Sequence, residues 1–116
     1  MGIIIETSEN QKKELYQTHY FKASYDELKN LYIETIKGLK HKLLSVNDDY
    51  KEIFSEAPHL TVTAKIIMQN PKETSIDFYI DSEFLFGSER HADAFIKTIY
   101  DAFSKKYELK GIALHR

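Results

Sequence analysis

The most constraining feature of this sequence is a pair of alternating runs on either side of a short polar turn. From Leu60 to Met68, the residues Leu60, Val62, Ala64, Ile66 and Met68 alternate with Thr61, Thr63, Lys65 and Ile67. From Ser75 to Phe86, the residues Ile76, Phe78, Ile80, Phe84 and Phe86 alternate with Asp77, Tyr79, Asp81, Glu83 and Leu85. Side chains of a strand repeat every second residue, so each run sends its first set to a core and its second set outward. Gln69-Asn70-Pro71-Lys72-Glu73 supplies the turn. Two alternating strands around such a turn predict an antiparallel hairpin. One apolar face of that hairpin must then be covered.

Two amphipathic helices are available to cover it. Ser24-Tyr25-Asp26-Glu27 has the spacing of a capping box, and Leu28, Leu31, Tyr32, Thr35, Ile36 and Leu39 follow as one apolar stripe ending near Lys40. After Gly87, with Ser88 as the expected cap, Ala92, Phe95, Ile96, Ile99, Ala102 and Phe103 form a second stripe. Gly111 is expected just past that helix, at a left-handed position.

Shorter strands are expected at residues 2–6, 15–23, 43–46, 50–55 and 112–114. The element order is then β-α-β-β-β-β-α, with extra short strands at the ends. This reads as a single α+β domain over residues 1–116. A curved antiparallel sheet of about four to six strands carries both helices on one face. The outline is similar to that of small helix-grip and TBP-like domains, a resemblance of element order that implies a fold and no activity.

Composition narrows the function classes. The 116 residues include no Cys, so thiolate metal sites, disulfides and cysteine nucleophiles are excluded. The formal net charge is −2, and Lys12-Lys13 and Lys105-Lys106 are only isolated pairs, so no basic stripe for nucleic acid or anionic lipid is present. No apolar run approaches the ~20 residues of a membrane span, and the chain is expected in the cytoplasm. No cofactor motif occurs.

Four constellations remain. The histidines His19, His41, His59, His91 and His115 show no ligand spacing, although the fold could bring His59 and His91 together. Asp77, Asp81 and Glu83 share the outward face of one strand, a solvated row or a surface for a basic partner. Outward Ile67, Tyr79 and Leu85 join Asp81 and Glu83 as a candidate contact surface. Phe86-Gly87-Ser88 at a helix start offers backbone N–H groups, which capping already explains.

The expected function is non-enzymatic: a binding or protein-interaction module, with a homo-oligomer or a protein as partner. The alternative is a carrier of a small apolar ligand, whose pocket Phe78, Phe84, Phe86, Phe95 and Phe103 would line. Self-association is expected through terminal strand edges at Ile3-Ile4-Ile5 and Ile112-Ala113-Leu114.

Overall fold

A computed structural model of the chain describes residues 2–115. In chain order the elements are β1 (Gly2–Glu6), β2 (His19–Phe21), α1 (Tyr25–Gly38), β3 (Lys42–Asn47), β4 (Glu52–Ala57), β5 (Leu60–Asn70), β6 (Glu73–Glu83), α2 (Ser88–Lys106) and β7 (Leu109–Ile112). A single 3-10 turn, Glu14–Tyr16, precedes β2. The seven strands form one open, antiparallel sheet in the order β3-β4-β5-β6-β2-β7, with β1 also paired to β6. Both helices lie on one face of it.

The hairpin at the centre has the register that its alternation predicts. Val62 lies opposite Ile80, Ala64 opposite Phe78 and Ile66 opposite Ile76, and all six are buried. Against them pack Leu28, Tyr32 and Ile36 of α1 and Phe95, Ile99 and Phe103 of α2. The capping box forms as expected: the Ser24 hydroxyl accepts from the Glu27 N–H, and the Glu27 carboxylate accepts from the Ser24 N–H.

Five local expectations are corrected. Strand 15–23 shrinks to His19–Phe21, because Leu15 and Tyr16 sit in the 3-10 turn and the Tyr16 hydroxyl reaches α2 at Asp93, 2.5 Å away. β6 ends at Glu83 rather than Phe86, because the Ser88 hydroxyl accepts from the Phe84 N–H and donates to the Phe84 carbonyl. That grip closes residues 84–87 into a loop, so Ser88 is spent there and the helix cap is Gly87, at φ 73°. Gly111 lies inside β7 instead of at the end of α2. A Cβ there would stand 2.6 Å from the end of the exposed Leu114 side chain, which would have to shift. Met68, expected in the core, is mostly exposed near the hairpin tip.

The terminal segments do not simply form open edges. β1 lies along β6 at residues 79–83, and β2 lies along the same side of β6 at residues 74–76. β7 closes the free side of β2, with Ile112 opposite His19. β1 and β2 are therefore two pieces of one strand line, interrupted by the excursion of residues 8–18. At the opposite edge, β3 carries a bulge between Leu43 and Ser45, which disrupts the ladder an incoming strand would need.

Candidate binding face

Residues directly opposite in neighbouring strands share a face, so the register maps the uncovered side of the sheet. One row runs Lys42, Glu56, Thr61, Asp81 and Ile4; the next runs Ser45, Phe54, Thr63, Tyr79 and Glu6; the third runs Asn47, Glu52, Lys65 and Asp77. With Glu83 opposite Gly2, this stretch presents Glu6, Glu52, Glu56, Asp77, Asp81 and Glu83 against only Lys42 and Lys65. Neither lysine makes an ion pair within 4.0 Å among the described residues. The uncovered face is thus more acidic than the chain as a whole.

Near its centre is an open basin of about 370 Å³. Phe54 and Tyr79 stand on either side of Thr63 there, and Glu6, Glu52 and Asp77 supply carboxylates around them, with Lys65 the one ammonium in the lining. Tyr79 is 45% exposed, so its ring is available to a ligand. A wider depression of about 730 Å³ lies at the strand ends, where Lys42, Glu56, His59, Asp81 and Glu83 mix both signs of charge.

Asp77 has a second environment, at the gap between β1 and β2. Thr7 ends the β1 line: its N–H donates to the Phe78 carbonyl at 2.9 Å, and its hydroxyl replaces a backbone acceptor for the Phe78 N–H at 2.8 Å. The same hydroxyl donates to Asp77 at 2.7 Å, and Thr18, where the strand line resumes, donates to both Asp77 oxygens at 2.9 and 3.0 Å. One carboxylate therefore ties together the two sides of the break. Burial pushes the Asp77 carboxyl up to about 6; the Thr7 and Thr18 hydroxyls oppose that shift, and Glu9 and Glu6 add to it. Behind it, the buried Tyr100 hydroxyl has no hydrogen-bond partner among the described residues, and burial, then the Asp77 charge, raises its pKa. The Tyr100 ring stacks on His19 at 3.7 Å, and His19 Nδ1 sits 2.7 Å from the Gln17 carbonyl, to which it must donate.

The residues singled out in the sequence divide accordingly. Tyr79, Asp81 and Glu83 share the uncovered face with Asp77. Ile67 is on the same face but opposite Ser75, four residues along β6 from Tyr79, or about 13 Å. Leu85 is not on the sheet; it projects from the 84–87 loop. The carrier set also divides: Phe78, Phe95 and Phe103 are core residues, Phe84 packs at its margin, and Phe86 is 79% exposed. His59 and His91 each lie against the Phe84 ring, at 5.4 and 3.8 Å between ring centroids. Among the described residues, no group of three or more His, Asp or Glu is placed to hold a metal ion. No helix is long and apolar enough to cross a membrane.

Phe54, Glu52 and Glu6 belong to the face but were not singled out. The signal for Phe54 was present: Ile53 and Phe54 are adjacent in a strand, so only one of them can face the core. Thr7 and Thr18 carried no such signal, since their partnership with Asp77 exists only because the strand line breaks. With the fold and this face described, comparison with protein families, with curated proteins and with solved structures finds no match to the chain.

Proposed function

We propose that this chain is a non-enzymatic binding module that takes a basic segment of a protein partner across the uncovered sheet face. The observation that carries the reading is the basin in which Phe54 and Tyr79 stand among three carboxylates, Glu6, Glu52 and Asp77, against a single ammonium, Lys65. Lysine and arginine combine a cationic head with an apolar stem. Such a side chain lays its stem against the rings, gains cation–π attraction from Tyr79, and keeps its head among carboxylates. The flanking Asp81, Glu83 and Glu56 extend the same charge preference along the face, which favours fast, salt-sensitive encounter with a basic partner.

Nuclear magnetic resonance titration tests this with an oligolysine peptide and an oligoglutamate peptide of equal length. The expected result is that only oligolysine shifts the amides around Phe54, Thr63 and Tyr79. The response should weaken as salt rises and be lost in Tyr79→Ala. Equal response to the acidic peptide, or shifts confined to the helix layer, would overturn the reading.

A further inference from the structure

Asp77 belongs both to the basin and to the break in the β1–β2 line. Its carboxyl lines the basin with Glu6, Glu52 and Lys65, and the same oxygens accept from Thr7 at 2.7 Å and from Thr18 at 2.9 and 3.0 Å. No basic side chain lies within 4.0 Å of it among the described residues. Charged and titratable groups face it from each neighbouring element. Lys65 is opposite on β5, with Glu52 beyond it on β4. Glu6 ends β1 and Glu9 follows in the excursion, and both charges oppose ionisation of Asp77. On the helix side are the Tyr100 hydroxyl of α2 and the His19 ring of β2 stacked against it. Burial raises the pKa of the first and lowers that of the second, so both resist charge. A partly buried carboxyl with like charges beside it and no cation paired to it keeps its proton longer than an ordinary aspartate does. Burial is the largest cause and brings its pKa to about 6.

We infer that a proton on Asp77 gates the basin: the ionised carboxyl holds a cationic side chain there, and the protonated carboxyl releases it. The inference rests on the function proposed above and adds its regulation. With Asp77 ionised, three carboxylates face one ammonium in the lining; with Asp77 protonated, only Glu6 and Glu52 remain against Lys65. A bound cation favours the ionised form, so binding expels the proton, and by reciprocity the proton expels the cation. Affinity is therefore full above about pH 7 and falls as pH drops through about 6. The strand line tolerates both states. A threonine hydroxyl donates to a carboxylate and can turn to accept from a carboxylic acid, so Thr18 stays bonded to Asp77 either way.

Nuclear magnetic resonance titration of the full chain with oligolysine, at about pH 5, 6 and 7.5, tests the gate, since the peptide stays charged over that range. The dissociation constant should rise about three- to tenfold from the highest pH to the lowest, the upper bound being set by the fraction of Asp77 still ionised. Asp77→Asn keeps the acceptor and loses the titrating group, while every histidine remains. It should bind as weakly at the highest pH as the wild type does at the lowest, with a constant that stays flat between them. The carboxyl carbon of Asp77 should titrate near 6 in the free wild type and lower with oligolysine bound. A wild-type constant that ignores pH, while the amides of Phe54, Thr63 and Tyr79 still respond, would overturn the gate and leave the binding reading standing. So would an Asp77 carboxyl that titrates near the ordinary 3.8 in the free protein. Amides that fail to respond even at the highest pH would remove both.

Discussion

Asp77 lies where the β1–β2 strand line is broken, and it answers to two demands at once. Two threonine hydroxyls favour its charged form, while burial disfavours that form more strongly, leaving its pKa near 6 against an ordinary 3.8. A carboxyl whose folded pKa lies above its unfolded value binds the proton more tightly in the native state. Its contribution to stability is complete below about 4 and is lost as pH rises through about 6. Asp77→Asn keeps an acceptor for Thr7 and Thr18 and removes the charge. Urea midpoints measured from pH 4 to pH 8 should show that the variant loses less stability over that interval than the wild type. An unchanged slope would mean that Asp77 is solvated in the native protein. The sequence placed Asp77 correctly on the outward side of its strand. Its burial was not legible there, because that depends on residues 7 and 18 meeting it from 70 and 59 positions away.

At the scale of elements, the central hairpin and the two helices were legible because periodicity and capping act over a few residues. Ser24 and Glu27 bond each other's backbone across one turn, and Ile66, Ile76 and Phe78 follow the strand period without a break. Ile66 is 1% exposed beneath the helices. Ile66→Ala should therefore lower stability by about 2–4 kcal/mol through lost burial and the cavity left behind. Chemical denaturation reads this directly, and an unmoved midpoint would contradict the register. Short elements were less legible. Residues 15–18 have the aromatic and β-branched composition of a strand, yet Tyr16 leaves the sheet to bond Asp93 on α2. Phe84 and Phe86 continue the alternation of β6 past its end, but the Ser88 hydroxyl turns the chain away after Glu83.

The whole molecule has a radius of gyration of 13.3 Å and presents two surfaces of different character on opposite layers. The sheet layer offers acidic side chains around two rings; the helix layer offers a projecting Phe86 beside a groove. Tyr79→Ala should abolish the oligolysine response and leave the circular dichroism unchanged, since the ring is 45% exposed. A Tyr79→Ala variant that keeps the full oligolysine response would show that the basin is not the binding site.

The sequence by itself determined the α+β class, the covered hairpin, both helices and the outward position of Tyr79, Asp77, Asp81 and Glu83. Each follows from interactions between residues two to four apart, where the period of a strand or helix dictates which way a side chain points. Only the tertiary structure decided the rest. It set β1 and β2 end to end along β6, brought Phe54 and Glu6 beside Tyr79, and enclosed Asp77 between two threonines. It also moved Leu85 and Phe86 off the sheet, to stand beside the groove at the start of α2. These outcomes depend on which strands become neighbours and where a chain turns away. Side chains distant in sequence make those choices, and local pattern carries no record of them.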